Sequence, residues 1–259
     1  MILTSGFDTT VDAFLGGRLA LKQPAVGYRA GVDPVLLASA VPAQSGQSVL
    51  ELGCGTGAAL LCLATRIGGL DLAAVEMQAH YADLCRANAA TNNIMATIYT
   101  ADLRNLPAAL REKTFDHVIA NPPYFERKAG NPSKSTDKDI AFAGDTGLVD
   151  WVDVATRRLK PKGHLTLIIK AHRMIDLLTV IDDRLGSLVV TPISGRLNQD
   201  ADRILVQARK GGRAAFRLGA PVHLHAGTAH LRDGEDYRPE ISDVLRNGAA
   251  FPFFTPKHH

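Results

Sequence analysis

Short apolar segments alternate with longer amphipathic or polar segments along most of the chain. This pattern predicts strands near residues 48–52, 71–75, 96–99, 115–120 and 163–169, with helices between them, and two later strands near 189–190 and 204–206. Strands that alternate with helices favour an α/β fold with a mostly parallel sheet and helices on both faces. The expected core of the protein is therefore this sheet.

Turn and cap residues mark the start of the chain. The pair Gly16-Gly17, with Leu19 and Leu21 after it, predicts an N-terminal arm or hairpin over residues 1–30. Asp33 is predicted to be a helix N-cap, because a proline at the first helical position follows it. Residues 31–259 are then predicted to form a single globular unit.

The end of the chain carries a similar signal. A proline at 239 and a glycine at 248 enclose a segment of helical composition. Proline is tolerated at the first turn of a helix, and glycine commonly follows the last turn. A terminal helix is therefore predicted between them.

Composition limits the class of protein. The chain has 259 residues, of which 46% are hydrophobic, so it can bury a large core. No stretch approaches the eighteen or so apolar residues of a membrane span, and the start lacks the pattern of a secretory signal. The three scattered cysteines form no C-x-x-C pair and suggest a reduced, cytoplasmic environment rather than a disulfide framework.

Charge is unevenly distributed although the net charge is only +3. Residues 157–217 contain 13 Lys and Arg against 5 Asp and Glu. A basic segment of this size could meet phosphates, but solvated helix faces and strand ends explain it equally well. Charge alone does not select a substrate.

A rigid polar turn is the most informative local feature. Asn121-Pro122-Pro123-Tyr124 follows the apolar run 115–120, and its two prolines fix two φ angles and remove two amide donors. The turn presents an amide side chain and an aromatic ring to the same space, which suits binding of a planar amine. A simple Pro-Pro turn with Asn as its turn residue is the structural alternative.

A glycine-rich turn follows the strand predicted at 48–52. Gly53, Gly55 and Gly57 stand between this strand and a predicted helix, an arrangement that presents backbone amides and a helix N-terminus to a ligand. Glu76 ends the next apolar segment, where an acid that binds ribose is expected. The turn also satisfies a dinucleotide-binding pattern, but Glu51, two residues before the first glycine, would oppose a pyrophosphate and favour a cationic cofactor.

In this order, residues 51–57, Glu76, Asp102 and the Asn-Pro-Pro-Tyr turn resemble the motifs of class I S-adenosylmethionine-dependent methyltransferases that act on exocyclic amines. The segments 14–19, 23–24 and 28–37 narrow the resemblance to the bacterial tRNA1(Val) adenine-37 N6-methyltransferase family. The resemblance implies a Rossmann-like, seven-stranded, mostly parallel sheet with one antiparallel edge strand. It also implies S-adenosyl-L-methionine as cofactor, a tRNA partner and an anticodon-loop adenine as the methyl acceptor.

The resemblance implies roles in cofactor binding for a set of residues. The amides of the glycine turn would face the methionine end and the first ribose of the cofactor, and the remaining contacts would come from Asp33, Glu51, Glu76, Asp102, Leu103 and Asn121. Among these, Glu51 and Asp33 would hold the cationic end, Glu76 the ribose hydroxyls, and Asp102 with Leu103 the adenine.

The acceptor amine would be bound by the Asn-Pro-Pro-Tyr turn. Our hypothesis is that the Asn121 side-chain oxygen and the Pro122 carbonyl each accept one N–H, so that the nitrogen lone pair points at the methyl group. Tyr124 would stack on the base. Arg127 and Lys128 are candidate substrate contacts in a polar segment, 125–146, that is predicted to be a lid or a surface loop.

Other classes of function stay open from the sequence alone. The same turn occurs in protein-glutamine and DNA-adenine methyltransferases, and a protein-glutamine N5-methyltransferase is the nearest enzyme alternative. A non-catalytic RNA-binding protein and a nicotinamide-dependent dehydrogenase are more distant ones. His223, His225 and His230 lack companion ligands at metal spacing, so no metal site is predicted.

Overall fold

The computed structural model describes residues 8–123, 146–228 and 236–251. The strands in these ranges are β1 (Thr9–Phe14), β2 (Leu19–Pro24), β3 (Ser48–Leu52), β4 (Asp71–Glu76), β5 (Thr97–Thr100), β6 (Phe115–Ala120), β7 (Leu159–Lys170), β8 (Leu185–Ser194), β9 (Arg203–Lys210), β10 (Arg217–Leu218) and β11 (Val222–His223). The α-helices are α1 (Val32–Ala40), α2 (Ala58–Arg66), α3 (Ala79–Thr91), α4 (Ala108–Arg111), α5 (Leu148–Arg158), α6 (Met174–Val180) and α7 (Pro239–Asn247). Short 3₁₀ segments occur at Leu15–Gly17, Leu103–Asn105 and Ala171–Arg173.

The main sheet confirms the predicted α/β class. Its strand order is β10-β8-β9-β7-β6-β3-β4-β5, and β11 also pairs with β8. Strands β3 to β7 are parallel to their neighbours within this group. β1 and β2 form a separate antiparallel hairpin.

Two details of the sheet differ from the expectation. The described residues give it nine strands rather than seven, because the short strands β10 and β11 add to β8. The antiparallel strand β9 lies between β7 and β8 rather than at the edge. This position follows from connectivity: β8 runs parallel to β7, and the chain then returns between them.

Both faces of the sheet are covered, as predicted. Val49 of β3 belongs to a core cluster shared with the hairpin, α1 and α2, whereas Leu50 and Leu52 belong to a second cluster with α5. Strands buried on both faces need apolar residues at successive positions. This explains the continuous apolar runs in the sequence.

Predicted boundaries are mostly confirmed, with one correction at α1. β3, α2 and β6 have the expected limits, and α7 has Pro239 in its first turn and Gly248 in a left-handed conformation after its end. Asp33, however, is not the N-cap of α1. The helix begins at Val32 after Gly31, and the Asp33 carboxylate instead pairs with Arg203 of β9 at 2.5 Å.

The N-terminal hairpin packs into the same core as the rest of the chain. Leu19 and Leu21 are fully buried within the cluster that contains α1 and α2. The division into residues 1–30 and 31–259 stays a prediction. Within the described ranges, no helix is long and apolar enough to cross a membrane.

Candidate active site

The glycine turn and the Asn-Pro-Pro turn emerge side by side from the sheet. β3 and β6 are adjacent parallel strands, and their register pairs Leu52 with Ala120. The next residues of the two strands are Gly53 and Asn121. The strand order reverses between β3 and β6, and such a switch point at the carboxyl ends of parallel strands opens a crevice for ligands.

The three glycines of the turn have positive φ angles but different surroundings. A Cβ on Gly53 would lie 2.3 Å from Cη2 of Trp151, and one on Gly57 would lie 2.6 Å from Sγ of Cys85. Gly55 has φ +52°, and the nearest atom to its Cβ position, in the Tyr28 ring, is 3.9 Å away. Gly53 and Gly57 are therefore needed for packing, whereas a Cβ on Gly55 would make, among the described residues, only an ordinary van der Waals contact with Tyr28.

Glu76 at the end of β4 holds the glycine turn in place. One carboxylate oxygen accepts a hydrogen bond from Gly55 N–H at 2.9 Å, and the other accepts one from Gln78 N–H at 2.9 Å. The residue is 8% exposed. Each carboxylate oxygen has a second lone pair, so Glu76 can still accept hydroxyl donors from a ligand.

Glu51 lies under the start of α2. Its carboxylate accepts from Leu60 N–H at 2.9 Å, and the residue is buried. Burial raises the pKa of Glu51 well above its ordinary value, and the hydrogen bond from Leu60 opposes this rise. A cationic group in the cleft would favour the ionised form.

Asp102 follows β5 and caps the 3₁₀ segment that contains Leu103. Its Oδ1 accepts from Arg104 N–H at 2.8 Å, and its Oδ2 pairs with the Arg104 guanidinium at 2.7 Å. The hydrogen bond from the Arg104 side chain lowers the pKa of Asp102. Leu103 is buried in the cluster that contains Leu52 and Trp151. A contact of this pair with adenine stays a prediction.

The described part of the acceptor turn is Asn121, Pro122 and Pro123. Asn121 is partly buried and Pro122 is buried, directly after β6. Tyr124, Arg127 and Lys128 lie outside the described residues, as does the predicted lid except for its last residue, Thr146. Their roles stay predictions.

Two aromatic residues at this end of the sheet were not singled out from the sequence. Trp151, the only tryptophan of the chain, lies against Gly53, and its indole nitrogen is buried without a hydrogen-bond partner in the described structure. Tyr28 lies next to Gly55. The position of Tyr28 within the family-like segment 28–37 was the available signal.

The cysteine of the glycine turn and two of the three histidines considered as metal ligands have local contacts. The hydrogen bond with Cys85 and burial raise the pKa of Cys54, which keeps this thiol protonated. His223 contacts Ser194 Oγ at 2.7 Å, and His225 contacts Asp236 at 2.6 Å. His230 lies outside the described residues, and within these no group of three acids, histidines or cysteines could hold a metal ion.

The basic segment 157–217 is divided between the two ends of the sheet. At the carboxyl end, Arg203 pairs with Asp33 and Arg196 with Asp236. At the amino end, Lys162 and Arg209 have no acidic partner in the part of the chain that the structure describes.

The strand order, the glycine turn after β3 and the buried acid after β4 define a class I methyltransferase fold. A solved structure from Agrobacterium tumefaciens, described as a predicted O-methyltransferase, matches with a TM-score of 0.65 and 27% identity, covering 84% of this chain and 97% of that one. A class I S-adenosylmethionine-dependent methyltransferase structure from Listeria monocytogenes, at 16% identity and a TM-score of 0.54, covers 86% of this chain and 69% of its own and shows the same fold.

Sequence comparisons identify the family. Residues 21–191 match the model of the methyltransferase small domain, and the chain belongs to this family. A tRNA1(Val) (adenine(37)-N6)-methyltransferase from Porphyromonas gingivalis is 31% identical over 94% of this chain and 95% of that protein. Its counterpart from Aeromonas hydrophila is 28% identical over 77% of this chain and 84% of that protein. The resemblance found in the sequence motifs is confirmed, and the chain is a methyltransferase.

Proposed function

We propose that this chain transfers a methyl group from S-adenosylmethionine to N6 of an adenine in tRNA. The observation that carries the proposal is the register of β3 and β6, which brings the Asn121 turn beside the glycine turn. A methyl donor in the glycine-lined cleft and an amine bound at Asn121 would then lie next to each other.

The residues around the cleft fit this cofactor. Gly55 is partly exposed and no atom of the described residues crowds its Cβ position, and the Glu76 carboxylate has lone pairs available for ribose hydroxyls. The buried carboxyl of Glu51 is suited to a cationic group. When bound, S-adenosylmethionine supplies an electrophilic methyl group on a positively charged sulfur.

The acceptor amine needs positioning more than it needs a strong base. The lone pair of an exocyclic adenine amine is delocalised into the ring, so the free amine is a poor nucleophile. Two acceptors, the side chain of Asn121 and the carbonyl of Pro122, would hold both N–H groups and leave the nitrogen density directed at the methyl group. The extra proton leaves the nitrogen after transfer.

The names of the relatives favour RNA over the other acceptors. The Porphyromonas gingivalis and Aeromonas hydrophila proteins are named for an adenine at position 37 of tRNA. A base must leave its stack to reach such a pocket, and this costs least for an unpaired base, such as one in an anticodon loop. A tRNA substrate also predicts action in the cytoplasm.

The decisive experiment combines the protein, isotope-labelled S-adenosylmethionine and unmodified total tRNA. We expect labelled N6-methyladenosine after digestion, detected by nucleoside mass spectrometry. A matched transcript with guanine in place of the anticodon-loop adenine serves as the control and is expected to stay unlabelled. Labelled glutamine in added protein, without labelled RNA, would instead support the protein-glutamine alternative.

A further inference from the structure

We propose that Tyr28 is a specificity-determining residue of the cofactor cleft, whose ring favours the cationic sulfonium of S-adenosylmethionine over the neutral thioether of its product. This inference rests on the proposed function, since it assumes the same cofactor. The first observation is the position of the Tyr28 ring, because its Cε1 lies 3.9 Å from the Cβ position of Gly55. Within the described part of the chain, the Tyr28 ring is the one group that a Cβ on Gly55 would contact, so Tyr28 forms a wall beside this glycine.

The segment that carries Tyr28 is fixed on both sides. Arg29 binds Asp12 at 2.5 Å, Thr10 Oγ1 at 2.7 Å and the Pro24 carbonyl at 2.7 Å. These contacts tie the segment to both strands of the N-terminal hairpin. The carbonyl of Tyr28 itself accepts a hydrogen bond from the Tyr81 hydroxyl at 3.3 Å.

A buried glutamine fixes the next residue of the segment. The Gln23 side chain accepts from Ala30 N–H at 2.7 Å and donates to Asp12 at 2.6 Å and to the Ala30 carbonyl at 3.3 Å. Gln23 is 1% exposed. A buried amide with all these partners leaves the backbone of the segment little freedom, which fixes the position from which the partly exposed Tyr28 ring extends.

The hairpin is also connected directly to the glycine turn. The Asn88 side chain accepts from Lys22 N–H at 2.8 Å and donates to the Lys22 carbonyl at 3.0 Å and the Thr56 carbonyl at 2.9 Å. One side chain of α3 thus joins β2 to the turn that holds Gly55. We infer that the hairpin serves to position Tyr28 over this turn.

Two acids lie on the side of Tyr28: Asp33, which pairs with Arg203, and the buried Glu51. Burial of its hydroxyl, together with the carboxylates of Asp33 and Glu51, raises the pKa of Tyr28 to about 12. An aromatic face together with nearby carboxylates attracts a positive charge and contributes little to a neutral thioether. The ring would therefore strengthen binding of the methyl donor more than binding of the product.

Calorimetry with the two cofactor forms, without RNA, tests this inference. Tyr28→Leu keeps apolar surface but removes the aromatic face, and we expect about tenfold weaker binding of S-adenosylmethionine. Binding of S-adenosylhomocysteine should fall much less, so the ratio of the two affinities decreases. Tyr28→Phe keeps the ring and should retain the wild-type ratio.

Phe216→Leu is the matched control, because Phe216 is 54% exposed and Tyr28 is 53% exposed. Phe216 directly precedes β10 at the edge of the main sheet, several strands from β3 and its glycine turn. We expect it to leave both affinities unchanged. The inference would be overturned if Tyr28→Leu lowered the affinity for both cofactor forms equally, or if Tyr28→Phe lowered it as much as Tyr28→Leu. Either result would leave the proposed function standing. A wild-type chain that binds neither form would overturn the proposed function as well.

Discussion

The two ends of the main sheet use acidic side chains in opposite ways. At the carboxyl end, Glu76 binds the backbone of the glycine turn and keeps lone pairs for a ligand. At the amino end, Asp116 accepts hydrogen bonds from Ser48 and from Lys160, each at 2.8 Å. Asp116 is thus satisfied by groups of the protein itself, whereas Glu76 retains binding capacity for a ligand. The same strands therefore carry stability at one end and the candidate chemistry at the other.

The first test of this contrast removes the side-chain amide of Asn121 at the carboxyl end of the sheet. In Asn121→Ala, we expect methyl transfer to fall by about 100- to 1,000-fold, as when a hydrogen-bonding group is lost from a transition state. Binding of S-adenosylmethionine should stay close to wild type. Single-turnover rates and calorimetry measure the two quantities separately.

A matched amide at the amino end provides the control. Gln47 contacts the His117 ring at 2.9 Å, and Gln47→Ala should leave the transfer rate unchanged while it reduces stability. Retained turnover in Asn121→Ala would refute the role assigned to that residue.

The second test uses acid to weaken the amino end. Burial, together with His164, lowers the pKa of His117 to about 4, and the ring is 2% exposed. The unfolded chain takes up this proton near pH 6.5 and the folded chain only near pH 4. The contribution of the neutral His117 ring to the free energy of unfolding is therefore fully present above pH 6.5 and is lost as the pH falls through 4. We expect a decrease of about 3 kcal/mol in the free energy of unfolding across this range.

Denaturant titrations at several pH values, on wild type and His117→Gln, measure this contribution. Burial raises the pKa of Glu51, so the contribution of Glu51 to the free energy of unfolding is lost as the pH rises through its folded-state pKa. This pH dependence has the opposite sign to that of His117. Because Glu51 is present in both proteins, its effect cancels in the difference. An identical pH dependence in the two proteins would contradict the prediction.

Sequence predicted the local features of the site and missed the contacts between distant segments. The limits of β3 and β6 follow from apolar runs that end at glycine or at Asn-Pro, and these signals are local. The ion pair between Asp33 and Arg203 joins residues of α1 and β9 that only the folded sheet brings together. The N-cap prediction for Asp33 used local propensity, and this tertiary contact overrode it.

The same limit applies to Tyr28 and Trp151. Each lies against a glycine of the turn through packing between elements that are far apart in the chain. The position of β9 inside the sheet likewise depends on where the chain turns back after β8. The apolar pattern of a strand does not specify which strands it pairs with. Sequence motifs therefore predicted where the cleft lies, whereas the aromatic residues that flank it were found only in the folded structure.

A third test compares one acid at each end of the sheet. Glu76→Ala removes the carboxylate predicted to bind the ribose. We expect about 10- to 100-fold weaker binding of S-adenosylmethionine, because hydrogen bonds to a charged group are lost. Asp116→Ala is the control, since Asp116 also binds a backbone amide, that of Ser48. It should reduce stability without changing cofactor affinity. Unchanged affinity in Glu76→Ala would remove this residue from the site.

The smallest expected effect concerns the basic residues of the amino end. Lys162, Arg209 and Arg213 have no acidic partner in the described ranges. Lys162 lies beyond His164, which itself is three residues of strand β7, about 10 Å, before Leu167, the partner of Ala120 in β6. A triple substitution to Gln should therefore leave the KM for tRNA and its salt dependence nearly unchanged, as measured by initial rates at several salt concentrations. A large rise in KM, with a shallower salt dependence, would show instead that bound RNA reaches the amino end, because each lost phosphate contact reduces the release of counterions.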